Sequence, residues 1–281
     1  MKFLFAVALA STLAYTPSSY SQSGSDGYYI KRVLESDAHT ISGTGSLKEL
    51  NPLSIKTLVW NIKKAELPDW KPEFLQYSKG RDLVLIQEAY TNDLFKNTLA
   101  ALKDYRFDMG VTFIRKRDSS ESGTMIGSLV DPLEVVVKHS LDLEPVVSTP
   151  KSMIFAKYPV AGLKEELLVI SVHAINITTP WAFKRHINSA TDEISKHIGP
   201  VLYAGDFNTW SEFRLRHLFA SVKTMGLKAV EFKNGDKRMK FSDNYLDHAF
   251  TRGLRVITAE VVPESKGSDH KPLHLELALE E

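Results

Sequence analysis

Two rhythms of apolar and polar positions interleave along this chain. Residues 55–60, 123–130, 153–156, 167–172 and 201–204 are short β-prone runs. Residues 82–87 form another, almost continuously apolar through Leu83-Val84-Leu85-Ile86, as expected for a strand covered on both faces. Between them, residues 70–78, 91–105, 181–198 and 211–225 carry helical spacing, with Thr91 and Ser211 placed as N-caps. Residues 254–262 and 273–279 alternate like late strands. Strands and helices in alternation make the class α/β, and a single domain is expected over residues 51–281.

The start of the chain follows neither rhythm. Lys2 precedes an apolar stretch over residues 3–14, and Ser19-Tyr20-Ser21 offers a small-x-small cleavage site before Gln22. That pattern is a secretory signal peptide over residues 1–21, too short for a comfortable membrane span, and it implies a periplasmic or secreted protein. Residues 22–50, rich in Ser, Gly and other polar residues, read as a linker or arm. No other segment resembles a membrane span, and a monomer is expected.

Composition narrows the chemistry. The chain has 281 residues, 43% of them hydrophobic, enough for a large core. Lys and Arg number 35 against 34 for Asp and Glu, so tight nonspecific attraction to nucleic acid through global charge is not expected. Any phosphate binding must be local. Cysteine is absent, which excludes disulfides, thiolate metal sites and cysteine nucleophiles. There is no HExxH, no P-loop and no GxSxG, so zinc protease, NTPase and serine hydrolase chemistry are disfavoured.

What remains sits at strand ends. VWNIKK carries Asn61, LIQEAY carries Glu88, SVHAIN carries His173 and Asn176, AGDFNTW carries Asp206 and Asn208, LDHAF carries Asp247, and GSDHKPL carries Asp269 and His270. Buried carboxylates and imidazoles cost free energy unless paired or metal-bound, so six such placements are poorly explained by packing. Together they describe metal-assisted hydrolysis of a phosphate ester. Taken alone, Glu88 reads as a strand-end salt bridge; beside Asn61 it is a natural metal-side group for a hard cation. Asp206 and Asn208, two apart, project to one side of an extended segment. The carboxylate can orient or deprotonate water, and the carboxamide can donate to a phosphate oxygen. Asp247 and His270 read as a carboxylate–imidazole pair. His186, His197 and His217 fall in predicted helices as solvent-facing residues, and His248 and His274 flank the site without acting in it.

The ordered set VWNI, LIQE, SVHAIN, AGDFN, LDH and SDHKPL resembles the endonuclease/exonuclease/phosphatase superfamily, which includes DNase I-like nucleases, abasic-site endonucleases, neutral sphingomyelinases and inositol polyphosphate 5-phosphatases. Within it the chain is most similar to the YafD-like bacterial branch. The resemblance implies a four-layer sandwich of two packed mixed β-sheets flanked by helices, with the site at one end of the sheets. It further implies that Glu88 ligates Mg²⁺ (Mn²⁺ or Ca²⁺ being alternatives) with Asn61 and Asp269 beside it, that Asp206 activates water, that Asn208 contacts phosphate, and that Asp247 orients His270. His173 matches the second histidine of the DNase I-like and sphingomyelinase-like members. Abasic-site enzymes place a tyrosine-based motif there, which argues against dedicated abasic-site repair. Nucleic acid or another phosphoester is the expected substrate. A nuclease leads, ahead of a phosphodiesterase or phosphatase acting on lipid headgroups or small phosphoesters. A non-catalytic binding module is disfavoured because every expected catalytic position is filled. Candidate contacts to flanking phosphates are Lys63-Lys64, Arg115-Lys116-Arg117, Lys184-Arg185, Arg214, Arg216 and the run from Lys233 to Lys240.

The signal-peptide reading makes an expectation for the mature protein. Mass spectrometry of exported material should find Gln22 at the N-terminus, and an intact Met1 terminus on cytoplasmic protein would contradict export.

Overall fold

Period-two alternation sorts each strand's side chains into an inner and an outer face, and that sorting builds the layers. The computed structural model describes residues 29–145, 148–233 and 236–280; the signal peptide read in residues 1–21 lies outside the described residues. In chain order the elements are β1 (Ile30–Arg32), β2 (His39–Gly43), β3 (Ile55–Asn61), α1 (Trp70–Ser78), β4 (Leu83–Tyr90), α2 (Asp93–Leu99), β5 (Arg106–Arg115), β6 (Glu121–Ser128), β7 (Glu134–His139) and β8 (Ser152–Tyr158). Then come β9 (Leu167–His173), α3 (Pro180–Lys196), β10 (Val201–Asp206), α4 (Glu212–Thr224), β11 (Lys228–Ala229), β12 (Lys240–Phe241), β13 (Asn244–Tyr245), β14 (Asp247–Arg252), β15 (Leu254–Val261) and β16 (Leu273–Leu279). One sheet runs β1-β5-β6-β4-β3-β16-β15 with β2 also on β5, and the other runs β11-β14-β10-β9-β8-β7. Both are mixed: β3–β4 and β9–β10 are parallel, and the pairs around them are antiparallel.

The core divides into three apolar layers that separate four structural ones. Val59, Leu85, Val169 and Leu202 belong to the cluster between the sheets. Their neighbours Leu58, Val84, Leu168 and Val201 point the other way, the first two toward α1 and α2, the last two toward α3 and α4. Trp70 of α1 stacks on Phe74 and Phe95 with ring centroids 5.1 and 5.6 Å apart, which seats the two helices on the first sheet. The arrangement is the expected four-layer sandwich. None of the described helices is long and apolar enough to cross a membrane.

Several local expectations need correction. The polar segment read as an arm in residues 22–50 contributes β1 and β2, both hydrogen-bonded along β5, with Ala38 between them fully buried. Its composition suits an exposed sheet edge, and the unpaired backbone of β5 supplies the partner. Helix α2 is shorter than residues 91–105. Asn92 caps it by accepting from the Phe95 amide at 2.9 Å, while Thr91 instead accepts the Glu121 amide at 2.8 Å. The chain then turns and opens β5 at Arg106, a strand hidden from the periodicity by Asp108 in its middle. That carboxylate is fully buried and held by Arg106 and His39.

The two sheets approach closely at one glycine. Gly205 has φ +144°, and a Cβ there would lie 2.2 Å from the Val172 carbonyl oxygen and 3.0 Å from Gln87 Nε2. Gly205→Ala should therefore destabilise the fold by about 2 kcal/mol or more, the scale of core overpacking. Urea unfolding would show it as a lowered midpoint, and an unchanged midpoint would mean that the strands yield easily.

Candidate active site

Along β3, β4, β9 and β10 the inner-facing positions are apolar, apart from Thr57 and Ser171, until the last turn of alternation. There they become Asn61, Gln87, His173 and Asp206. Register sets them side by side: Asn61 is opposite Gln87, His173 opposite Asp206, and Asp206 opposite Asp247 at the start of β14. Gln87 donates to Ser171 Oγ at 3.0 Å across the sandwich, so the sheets are joined by a polar bridge beneath the site. A bulge in β4 between Ile86 and Ala89 adds one more side chain. Glu88 lies in this bulge with φ +57°, an uncommon conformation for a non-glycine residue that re-aims its carboxylate.

Asp206 is 2% exposed and its oxygens are occupied in a defined way. Oδ1 accepts the Asn208 amide at 2.9 Å, forming the turn that holds Asn208 in the left-handed region at φ +50°. Oδ2 accepts Asn61 Nδ2 at 2.9 Å and lies 3.6 Å from His173 Nε2 and 3.9 Å from His270 Nε2. Burial raises its pKa to about 6, against the lowering effect of the His270 charge. Asn208 gives one amide hydrogen to the Ala174 carbonyl at 2.9 Å, which fixes the orientation of its other polar atoms.

His270 Nδ1 meets both oxygens of Asp247, at 2.8 and 3.0 Å. Burial alone would lower its pKa, but Asp247 and Asp206 outweigh burial and lift it to about 10, so the ring is an imidazolium. Trp60 Nε1 donates to the His270 carbonyl at 3.1 Å, and Ser268 Oγ donates to the Asn61 carbonyl at 2.7 Å. These bonds tie the loop after β15 to the end of β3. His173 behaves oppositely. Burial, then the positive charges of Lys151 and His270, hold it neutral with its pKa well below the usual imidazole range. The cluster thus contains one charged and one neutral imidazole on either side of Asp206.

The residues read as metal-side groups are not equivalent. Glu88 is 26% exposed at its side chain, and its nearest ionisable partner is His173 Nε2 at 4.0 Å. It makes no side-chain hydrogen bond among the described residues. A carboxylate left without donors beside a polar cluster is the group that a hard cation satisfies. Asn61 Oδ1 accepts the Lys63 amide at 3.1 Å and keeps a second lone pair. Asp269 is exposed and pairs with Lys63 Nζ at 3.2 Å, on the rim of the site. Asp206, Asp247 and His270 also place ligand atoms within 4.8 Å of one another. His270 and Asp247 are already bonded to each other, however, so the oxygen donors around Glu88 fit a hard cation better.

Sequence reasoning misplaced other residues. Arg214, read as a contact for flanking phosphates, is 1% exposed. It donates to the carbonyls of Ile175 (2.7 Å) and Asn208 (3.1 Å), as well as Asn176, and lies over the rings of Phe183 and Trp210. One guanidinium therefore joins the loop after His173 to the loop after Asp206. Asn176 also accepts Trp210 Nε1 at 3.0 Å. His186 is buried rather than solvent-facing. Its Nδ1 accepts the Ile175 amide at 3.0 Å, and burial pushes its pKa down to about 3. His248 is likewise buried and neutral, bonded to Thr209 Oγ1 at 2.9 Å. His274 bonds Arg81 at 2.9 Å, before the start of β4, whereas Glu88 is near the strand's far end. Arg238 was read only as one of a basic run. It stacks between Phe232 and Tyr245, pairs with Asp236 and donates to the Asp247 carbonyl at 2.7 Å.

The sequence pattern of the Endonuclease/Exonuclease/phosphatase family matches residues 58–270, a span that opens beside Asn61 and closes on His270. The chain belongs to this family. A UPF0294 protein of Vibrio parahaemolyticus is 30% identical over 285 residues, covering 99% of this chain and 96% of its own. An endonuclease/exonuclease/phosphatase from Beutenbergia cavernae has a similar structure, with TM-score 0.66 and 17% identity over 81% of this chain and 72% of its own. D. rerio TDP2, solved with single strand DNA product, gives TM-score 0.58 and 16% identity over 80% and 98%. Family membership supports a phosphoester hydrolase of the nuclease or phosphodiesterase type, and the YafD-like bacterial branch is supported by the UPF0294 relatives.

The bidentate contact between Asp247 and His270 makes the two one functional unit. His270→Ala should lower kcat/KM on the order of a thousandfold, as loss of a principal electrostatic group does. Asp247→Asn should cost less, and the double variant should be barely worse than His270→Ala alone. Fully additive losses would assign the two residues to separate roles.

Proposed function

We propose that this chain is an exported, divalent-metal-dependent phosphodiesterase, with nucleic acid as its leading substrate class. The observation that carries the reading is Asp206, a buried carboxylate with a raised pKa, set between an imidazolium and a neutral imidazole and next to the donor-free Glu88. Glu88 and Asn61 would hold the cation, Mg²⁺ being the first candidate, with Asp269 at the rim. When bound, such a cation supplies Lewis-acid charge on a phosphoryl oxygen.

The chain's own groups supply the rest. Asp206 is oriented by Asn61 and the Asn208 amide, and a pKa near neutrality suits a base that takes a proton from the attacking water. The His270 imidazolium opposes the negative charge that develops on the phosphoryl oxygens, with Asp247 accepting from its Nδ1–H and fixing the orientation of the ring. His173 remains neutral and offers a hydrogen bond without adding charge. Asn208 presents its remaining amide hydrogen to phosphate. Phosphoester hydrolysis needs this division of labour because base and charge stabiliser must differ in protonation at one pH.

Two observations favour nucleic acid over lipid headgroups. Phe183 is fully buried against Arg214, so it cannot join the nearby Trp181 in an exposed aromatic patch of the kind that a lipid-docking surface would use. Trp181 stands exposed with Lys184 over its ring, an arrangement suited to a base and its phosphate. D. rerio TDP2, with its single strand DNA product, shows a fold relative accommodating such a strand.

Mature protein assayed with Mg²⁺, Mn²⁺ or Ca²⁺ against duplex DNA, single-stranded DNA, RNA, sphingomyelin and inositol phosphates tests the reading. Glu88→Gln keeps size and removes charge. It should lower kcat/KM by on the order of a hundredfold or more, the cost of losing one stabiliser of transition-state charge, and raise the metal concentration for half-activity. Wild-type activity and metal demand in this variant would remove Glu88 from the metal site.

A further inference from the structure

Beside the catalytic groups the sandwich leaves a cleft that the mechanism above does not use. It encloses about 130 Å³ and shares Glu88 and His173 with the active site. Thr112, Thr124 and Ser152 line it, but their hydroxyls donate to the carbonyls of Ser122, Ser152 and Gly110 at 2.9–3.0 Å. The cations that face the cleft are two lysines, Lys64 and Lys151, beside the carboxylates of Glu88 and Glu144.

These lysines are held in different ways. Lys151 pairs at 3.5 Å with Glu144, whose other oxygen accepts the Asn176 amide at 2.9 Å, so its position is braced by the loop that follows His173. Lys64 lies in the middle of three consecutive left-handed residues, Lys63, Lys64 and Ala65, with φ +48°, +55° and +57°. This turn separates adjacent side chains: Lys63 goes to Asp269, and Lys64 goes to the cleft. Lys64 is partly buried and makes no ion pair or side-chain hydrogen bond among the described residues. Its charge is therefore left for an anion that enters the cleft. The charges of both lysines also reach His173 and help to keep it neutral.

We infer that this cleft is a second phosphate site, receiving through Lys64 and Lys151 a phosphate of the substrate other than the one being hydrolysed. The inference rests on the hydrolase reading of the adjacent site, because the shared wall of Glu88 and His173 places the cleft one group away from the reacting phosphorus. The substrate class is then a molecule with two phosphates a short linker apart. A nucleic-acid strand supplies that chemistry through consecutive phosphates, and a phosphorylated polyol supplies it through neighbouring hydroxyls. Ester bonds with no second phosphate would be poor substrates.

Calorimetry with the full mature chain in Mg²⁺ tests the site without relying on turnover. The probes are thymidine 3′,5′-bisphosphate against thymidine 5′-monophosphate and 3′-monophosphate, and inositol 1,4-bisphosphate against inositol 1-phosphate. At least one bisphosphate should bind about tenfold tighter or more than its monophosphates, the size of one charge-assisted contact. Which bisphosphate does so identifies the source. Lys64→Asn, which removes the charge and tolerates the left-handed backbone, should abolish the preference, and Lys64→Arg should retain it. Equal binding of bisphosphates and monophosphates, or a preference that survives Lys64→Asn, overturns the inference. Turnover of dinucleotides with and without a terminal phosphate is scored separately. A Lys64-dependent preference in binding with no hydrolysis of any ester would leave the second site standing and remove the hydrolase reading.

Discussion

Asp206 carries its carboxylate where bulk water cannot reach it, and the site is organised around that problem. An unpaired buried carboxylate would neutralise itself or unfold its surroundings. Here each oxygen has a donor: the Asn208 amide on one side, the Asn61 carboxamide on the other. The first requires a left-handed residue just after β10, and the second requires β3 from the opposite sheet to end at that depth. Satisfying one charge therefore dictates a turn, a strand length and the docking of two sheets. Two imidazoles of opposite charge state then sit within 4 Å of Asp206 Oδ2.

How much of this was legible in the sequence follows from what each signal depends on. The strand-end motifs were readable because alternation is local: a run such as Leu167 to Val172 announces where its next inner-facing residue, His173, will fall. The Asp247–His270 pair was readable because a carboxylate and an imidazole in these motifs have few other uses. Glu88's re-aiming was not readable, since the bulge exists only relative to β6. Arg214 was misread because a guanidinium in a helix looks solvent-facing unless its carbonyl partners, far away in sequence, are known. His186 failed for the same reason. The strands β1 and β2 escaped because edge strands need no apolar alternation; β5 provides their partners.

Family membership and site geometry constrain different things. The family pattern, spanning residues 58–270, accounts for the strand ends and for the general chemistry. It says little about what braces those strand ends. Buried Arg214 and partly buried Arg238, both stacked on aromatic rings, hold the loops that follow His173 and Asp206 and the strand that starts at Asp247. The polar cluster is thus braced by cations whose hydrogen bonds go to protein carbonyls.

The inter-sheet bonds from Asn61 to Asp206 and from Gln87 to Ser171 have a thermodynamic consequence. The site is divided between the two sheets, with Asn61 and Glu88 on one and His173, Asp206, Asn208 and Asp247 on the other. Any ligand that bridges them binds the docked sandwich and not its separated halves. By mass action, such a ligand adds RT ln(1 + [L]/Kd) to the free energy that keeps the layers together. Occupancy of the site is then itself a fastener of the fold, and resistance of the loaded protein to heat or protease reads out how far substrate spans the seam.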